Sequence, residues 1–378
     1  MEFFDVVTSS IWVVLSSVIP FLAVLTVIVF IHEYGHFKVA RWCGVGVETF
    51  AVGFGREIIG KTDRYGTRWK LGWIPIGGYV KFEDDANAAS MPAADAEPVP
   101  EAPPSETAFH NKPLPSRAAV VAAGPAANFV LAIIIYTLSF MVNGERVSLP
   151  VADFIMKGSA AEAAGMMAGD RISEIDGTEI NKFSDIQSIM ARNQGSTIAL
   201  VIDRNGERLE LSATPQVTQQ DHFLGGTYDV RLLGIRSESS QVEQRNFGQS
   251  VGLGVERTWD ITITTLTYVA GIIRGKESTK QLSGPLGIAR TTGYVTTKGG
   301  LNALIQLAAL LSVSIGLINL FPIPMLDGGH LMYYAAEAVR GKPLGQDAQD
   351  IGFKVGFALV LTLMIVATWN DIARFFSS

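Results

Sequence analysis

The sequence lacks features that would place it in several common protein classes. Its 378 residues include one cysteine, Cys43, which excludes an internal disulfide framework, and we expect this thiol to serve packing. The net charge of −6 is spread along the chain without a basic patch, so we expect no nucleic-acid partner. The first 31 residues contain no lysine or arginine. Because a signal peptide begins with a basic region, we interpret the N-terminal apolar run as a retained membrane span.

Apolar sequence is abundant, with 48% hydrophobic residues. Residues 11–31 carry no charge and are numerous enough to cross a bilayer. They run directly into the motif H-E-Y-G-H. Positions i and i+4 share one face of a helix, so His32 and His36 can bind one metal ion with Glu33 beside them. This spacing is typical of zinc hydrolases, in which two imidazoles are ligands and the carboxylate is a general base. The alternative is a buried polar cluster that bonds neighbouring helices.

The loop after the first span is rich in basic residues, ten of which lie between positions 38 and 117. The positive-inside rule places this loop in the cytoplasm and the N-terminus outside. Residues 50–83 contain short apolar pieces separated by glycines, which predicts a β-hairpin. Either it is a simple cytoplasmic hairpin, or its edge lies near the metal motif and pairs with an extended peptide. Residues 84–116 have the composition of a disordered cytoplasmic linker.

Residues 117–142 form the second predicted span, and 118–142 carry no charge. This segment contains A-A-G-P-A-A-N, and such small residues allow close helix packing in a membrane. We interpret Asn128, at the end of that motif, as a residue that hydrogen-bonds a neighbouring helix rather than as a catalytic one.

Residues 143–237 contain G-S-A-A-E-A-A-G-M-M-A-G-D-R-I. This stretch resembles the PDZ domains of bacterial proteases, in which a short helix precedes G-D-x-I and a strand. The resemblance implies an α+β domain that takes peptides as an added strand. We expect Ile172 and Ile175 to lie in its core. Because the domain follows the second span, we expect it outside the cytoplasm.

Residues 238–300 predict an interfacial amphipathic helix and a connector, since charges leave only a short apolar stretch there. Residues 301–330 predict a third span that ends in N-L-F-P-I-P-M-L-D-G-G-H, where the prolines and glycines must break the helix. Broken backbone at membrane depth is tolerated only inside protein or along a cavity. Asp327 therefore needs a partner there, and a cation held by His32 and His36 is the obvious one. Residues 331–378 predict a cytoplasmic loop and a fourth span.

Together, H-E-x-x-H, N-x-x-P-x-P-x-L-D-G-G and the intervening domain resemble the bacterial site-2 proteases, most closely the RseP-type intramembrane zinc metalloproteases in a single-PDZ form. The resemblance implies an α-helical membrane protein with four transmembrane helices, a membrane-reentrant β-hairpin and one extracytoplasmic PDZ domain. It implies an inner-membrane location with both termini and the PDZ domain on the periplasmic side. It also implies cleavage of single-span proteins after a first extracytoplasmic cut. The expected substrates are anti-sigma-factor-like proteins or signal-peptide remnants.

The expected site follows from these motifs. We expect Zn²⁺ to be held by His32, His36 and Asp327, with Glu33 as the general base. Asn319 either holds the substrate backbone or developing oxyanion, or bonds a neighbouring helix. For Asp327 the alternative is a helix cap. His330 is interpreted as structural or as a support for a ligand. We expect single-span membrane proteins and the lipid bilayer as partners, and a monomer.

Two other functional classes remain open. A metal transporter would also place histidine and aspartate in the membrane, but it needs a path of ligands, and this sequence offers one cluster. A membrane-anchored PDZ scaffold would need no metal.

Overall fold

The computed structural model describes residues 14–83, 106–193, 195–221, 227–279 and 282–377. The chain divides into two compact units. The first takes its described residues from Met1–Thr137, Val251–Thr267 and Lys280–Ser378. The second takes its described residues from Leu138–Ser250 and Tyr268–Thr279.

The described helices are α1 (Ile19–Trp42), α2 (Leu114–Asn143), α3 (Ala160–Ala163), α4 (Phe183–Arg192), α5 (Phe247–Ile273), α6 (Pro285–Asn319), α7 (Asp327–Arg340) and α8 (Gln346–Ser377). A π-helical turn, Val14–Val18, precedes α1, and a 3₁₀ turn, Phe109–Asn111, precedes α2. The described strands are β1 (Val47–Thr62), β2 (Arg68–Phe82), β3 (Glu145–Ser148), β4 (Val151–Ala152), β5 (Phe154–Ile155), β6 (Asp170–Ile175), β7 (Thr178–Glu179), β8 (Ile198–Arg204), β9 (Glu207–Ala213), β10 (Gln216–Asp221), β11 (Thr227–Leu232), β12 (Ile235–Arg236) and β13 (Ser240–Glu243).

Four of the described helices are long and apolar enough to cross a membrane. These segments are Leu15–Trp42, Leu114–Asn143, Pro285–Asn319 and Gln346–Arg374. At a rise of about 1.5 Å per residue, each exceeds the roughly 30 Å of a bilayer's hydrocarbon core. These helices fit a multi-pass membrane protein. The 27-residue helix α5 is not among the four.

The predicted disordered linker is wrong at its C-terminal end. Phe109 is buried, and its ring stacks on Phe82 with centroids 5.0 Å apart. Helix α2 then begins at Leu114, inside the predicted linker. The average composition of the segment does not reveal that Phe109 is buried, and the burial of this one aromatic side chain orders the residues before α2. Residues 84–105 of the predicted linker lie outside the described residues.

Two predicted boundaries also differ from the structure. The predicted connector over 238–300 is wrong at its end, because α6 already begins at Pro285. Gly300 lies within α6, has a non-helical φ of 64°, and kinks the helix close to the position where the third span was predicted to begin. The predicted loop after residue 330 is also wrong, because α7 continues to Arg340 and ends at Gly341, whose φ is 71°. This helix forms because its apolar side chains find a core, which composition alone does not reveal.

Strands β1 and β2 form an antiparallel pair that packs on α1 and α2. Glycines with positive φ at Gly53 (79°) and Gly55 (85°) bend β1, so Phe50 lies opposite both Val80 and Trp69. Phe50 is fully buried, and its ring is 4.4 Å from that of Trp69 by centroid. The hairpin is therefore held by an aromatic core rather than by backbone pairing alone.

The second unit has its own sheet and core. Its main sheet has the strand order β4-β6-β8-β9, with β7 paired to β6, and every pairing is antiparallel. Ile172 and Ile175 are fully buried, which confirms their predicted place in the core. Two cross-strand neighbours on β8, Leu200 and Ile202, are equally buried. The apolar face of this sheet closes the core of the unit.

Candidate active site

Helix α1 carries both histidines on its buried face. Val24, Ile28, His32 and His36 are all buried and follow one another at four-residue intervals, so the polar pair continues an apolar stripe. His32 is 8% exposed and His36 is 6% exposed. Their Nε2 atoms lie 3.3 Å apart. The motif lies within α1, which continues past it to Trp42.

Asp327 reaches the same point from the opposite end of the sequence. Helix α6 ends at Asn319 and α7 begins at Asp327, with a break between them. The carboxylate is 4% exposed, and its Oδ2 lies 3.2 Å from Nε2 of His32 and 3.5 Å from Nε2 of His36. Asp327 is the first residue of α7 and not its N-cap, which is Leu326. The helix-cap alternative does not describe this geometry.

These three donors fit a zinc ion. Two imidazole nitrogens and a carboxylate oxygen are a typical catalytic zinc set. Tetrahedral zinc, with bonds of about 2.0–2.1 Å, separates its ligand atoms by roughly 3.3–3.4 Å. The observed separations are 3.2, 3.3 and 3.5 Å. Asp327 Oδ2 is buried without a hydrogen-bond partner among the described residues, and a buried anionic oxygen of this kind requires a cation.

Helix α2 contacts both imidazoles from behind. The Val120 carbonyl oxygen lies 2.8 Å from Nδ1 of His36. A carbonyl can only accept, so Nδ1 of His36 carries the proton and Nε2 has its lone pair free. The amide of Asn128 lies 3.2 Å from Nδ1 of His32. This contact agrees with the interpretation of Asn128 as a residue that hydrogen-bonds a neighbouring helix, but the sequence did not reveal that its partner is a histidine of the metal motif. The available signal was an amide inside a charge-free span, close to small residues.

A cavity of about 230 Å³ opens beside the three donors. Glu33 and Asn319 both line it, so the structure brings them together with His32, His36 and Asp327. The remaining lining residues are Val29, Gly77, Gly78, Ile315, Met325 and Leu326. The Glu33 carboxylate accepts a hydrogen bond from the backbone of Val80 on β2. Strand β2 therefore passes directly beside this carboxylate.

Asn319 also makes a contact within its own helix, and His330 lies elsewhere. Asn319 donates an intrahelical hydrogen bond from Nδ2 to the Ile315 carbonyl oxygen at 3.1 Å. His330 lies outside this site and lines a second cavity with Tyr333. Within the described part of the chain, His32, His36 and Asp327 form the one group of three such side chains that could hold a metal. This site combines metal donors, a carboxylate and an amide around one small space.

Comparisons with known proteins agree with this chemistry. The model of "Peptidase family M50" matches residues 20–363. A protein of Agrobacterium fabrum, whose name describes a zinc metalloprotease, is 42% identical over 362 residues, which cover 94% of this chain and 95% of that one. Metalloprotease MmpA of Caulobacter vibrioides is 36% identical over 379 residues, with 94% and 95% covered.

Among solved structures, the PDZ domain of the SdrC-like protein from Listeria innocua matches 25% of this chain and 99% of its own, at 18% identity and a TM-score of 0.20. The family match extends over both histidines and the aspartate, and the relatives align over nearly their full length. The chain thus belongs to peptidase family M50, the site-2 protease family of membrane-spanning zinc metalloproteases.

Proposed function

We propose that this zinc metalloprotease cleaves single-span membrane proteins within the membrane, and that His32, His36 and Asp327 hold its zinc ion. The observation that carries the proposal is the triangle of donor atoms, with sides of 3.2, 3.3 and 3.5 Å, formed by α1 and the start of α7. His32 and His36 are buried on the long apolar helix α1, and Asp327 is buried at the start of the shorter helix α7, which follows the long apolar helix α6. Ionisable groups in such a setting are costly and are retained for function.

When bound, zinc lowers the pKa of a water ligand and polarises the scissile carbonyl. Glu33 lines the same cavity and follows His32 directly, so we assign it as the general base. It takes the proton from the attacking water and later passes it to the leaving amine. Asn319 faces the cavity and donates to the substrate backbone or to the developing oxyanion.

Strand β2 supplies a surface for the substrate. A peptide bond inside a helical span is hidden in the helix's own hydrogen bonds, so the substrate must locally unwind. Gly77 and Gly78 line the cavity, and their strand contacts Glu33 through Val80. An extended substrate segment that pairs along this strand regains the hydrogen bonds it lost on unwinding.

The remaining assignments rest on sequence. Residues 143–237 are the PDZ domain, and the positive-inside rule places it and both termini on the periplasmic side of a bacterial inner membrane. The substrates are anti-sigma-factor-like proteins or signal-peptide remnants that have already been cut outside the membrane. The enzyme acts as a monomer.

The decisive experiment replaces Glu33 with Gln. We expect E33Q to bind zinc like the wild type, because the three donors are untouched, and to lose cleavage by about 100-fold or more, the usual contribution of a general base. Bound zinc is measured by mass spectrometry on protein purified in detergent, and cleavage is measured on a single-span reporter.

Two further variants control this experiment. E48Q changes a glutamate on the hairpin that pairs with Lys81 at 2.6 Å and does not line the cavity, so it should behave like the wild type. H36A should lose both zinc and cleavage. Full cleavage by E33Q would show that Glu33 is not the general base. Full zinc binding by H36A would show that His36 is not a zinc ligand and would contradict the proposed metal site.

A further inference from the structure

We propose that Asn128 is a positioning residue of the zinc site: its amide oxygen accepts the Nδ1 proton of His32 and thereby presents the bare Nε2 to the metal. This inference rests on the proposed role of His32, His36 and Asp327 as ligands. It assigns a role to a residue of α2, a helix that supplies no ligand itself.

The burial of Asn128 points to a specific partner. The side chain is 0% exposed in the middle of an apolar helix, where an unsatisfied amide is costly. As placed, its Nδ2 lies 3.2 Å from Nδ1 of His32, while its Oδ1 has no hydrogen-bond partner among the described residues. One end of the amide therefore faces the imidazole directly.

Helix α6 holds the backbone of this residue. The Asn128 carbonyl oxygen accepts a hydrogen bond from Ser312 Oγ at 2.9 Å. Gly316 passes so close that a Cβ there would lie 3.1 Å from the Cβ of Asn128. Contact with α6 is thus already made by the backbone and Cβ, which leaves the amide to serve His32 on α1.

The chemistry of the ring decides which end of the amide faces it. The two ends have nearly the same shape, and a rotation of 180° exchanges them. If the amide nitrogen donates to Nδ1 of His32, the ring proton resides on Nε2, the atom 3.2 Å from Asp327 Oδ2, and that nitrogen has no lone pair for a metal. If the amide oxygen faces Nδ1, the proton resides there and Nε2 is free to coordinate. Zinc binding therefore selects the second orientation.

The second imidazole has an equivalent support. Nδ1 of His36 donates to the Val120 carbonyl oxygen at 2.8 Å, which leaves its Nε2 bare. Histidine ligands of metals usually donate their other ring N–H to such an acceptor, and loss of the acceptor typically costs about 10- to 100-fold in metal affinity. Helix α2 thus provides one acceptor for each imidazole, a backbone carbonyl for His36 and the Asn128 side chain for His32.

The test compares three full-length variants in detergent. N128L replaces both ends of the amide with methyl groups on the same branched skeleton, whereas N128D keeps an acceptor at the same place. T137V changes another buried polar side chain on the same helix and serves as the matched control. Zinc affinity is measured by competition with a chelator, and the visible spectrum of Co²⁺-substituted protein reports the ligand geometry.

We expect N128L to lose about 10- to 100-fold in zinc affinity and to alter the Co²⁺ spectrum. N128D should stay within about threefold of the wild type, and T137V should be unchanged. Rescue by aspartate separates positioning from packing, because a carboxylate is no better than leucine at filling an apolar gap. If N128L does not fold, N128A replaces it in the comparison with N128D.

Wild-type zinc affinity in both N128L and N128A would overturn the inference, as would an N128D variant as weak as N128L. These results differ from a failure of the proposed function. In that case the wild-type protein would bind no zinc, or H36A would bind it as well as the wild type does.

Discussion

At the scale of single residues, two glycines, Gly35 on α1 and Gly124 on α2, allow these helices to approach each other closely. A Cβ added at Gly35 would overlap the Ala123 carbonyl, and one added at Gly124 would overlap the imidazole of His36. Small residues of this kind let membrane helices come into close contact. That contact puts the Val120 carbonyl within hydrogen-bond distance of His36. The glycines therefore shape the proposed metal site although they offer it no donor.

Replacement of Gly124 with Ala should weaken zinc binding. The new methyl group overlaps the His36 ring, and the neighbouring backbone of α2 cannot yield, so the imidazole must move. We expect a loss of about tenfold or more in zinc affinity, measured by chelator competition. G252A is the matched control, because Gly252 is also helical and has no neighbouring atom within 4 Å of an added Cβ. Wild-type affinity in G124A would show that the ring has room to adjust.

At the scale of elements, the break between α6 and α7 aims the carboxylate. A Cβ at Gly328 would overlap the carbonyl oxygens of Leu320 and Phe321, so the break folds back tightly onto the first turn of α7. Met325 has a φ of 87°, which is unusual for a residue with a side chain. Such strain is found where the surroundings enforce it, commonly at functional sites. Here it turns the chain just before Asp327.

We expect the protein to remain stable with glycine at position 325 and to be destabilised by a β-branched residue there. We expect M325V to destabilise the folded protein by roughly 1–3 kcal/mol and to lower its zinc occupancy, because valine at positive φ is a severe outlier. M325G should keep the stability of the folded protein within about 1 kcal/mol of the wild type and should leave its zinc occupancy unchanged, since glycine adopts this conformation freely. Thermal unfolding and metal analysis of the detergent-purified protein measure these effects. Equal behaviour of the two variants would show that the turn does not control the site.

At the scale of the whole molecule, the chain combines a unit of long apolar helices with a unit that has a separate core. In the second unit Asp170 is 1% exposed and receives two hydrogen bonds of 2.8 Å from Arg204. Its Oδ2 also accepts the Met167 N–H at 2.7 Å. Burial raises the pKa of the Asp170 carboxyl, but the hydrogen bonds and charge of Arg204 together with that N–H outweigh it and lower the pKa.

Because the folded-state pKa of Asp170 is lowered, its stabilising effect is fully present above the ordinary carboxyl pKa near 4 and is lost as the pH falls through the lowered value. We expect D170N to cost the second unit roughly 2–3 kcal/mol at neutral pH and to reduce this acid sensitivity. Hydrogen exchange over residues 138–250, at several pH values, measures both effects. E174Q, which breaks an exposed pair with Arg208, should cost about 1 kcal/mol or less. Equal protection in D170N and the wild type would contradict the prediction.

Much of the site could be predicted because its signals are local. The i, i+4 spacing places His32 and His36 on one face of any helix they form. The cost of a carboxylate at membrane depth identifies Asp327 as their partner without knowledge of the fold. The prediction of a zinc-dependent peptide hydrolase is confirmed by the family. The roles assigned to the individual residues stay predictions.

The features that could not be predicted depend on contacts between distant elements. Phe109 orders the end of a segment with a disordered composition only because Phe82 is there to stack on it. Helix α7 replaces a predicted loop because Leu331 and Tyr334 pack against a core built from other parts of the chain. Composition averages over such anchors, so it misjudges any segment that a few buried side chains hold in place.

The sequence by itself determined the apolar spans, the spacing of the two histidines and the chemistry of their acidic partner, because periodicity and the cost of buried charge act over a few residues. Only the tertiary structure decided that α2 places the Val120 carbonyl behind His36 and the Asn128 amide behind His32, and that β2 passes beside Glu33. The register between two packed helices is set by side chains far apart in sequence, and no local pattern encodes which of them will meet.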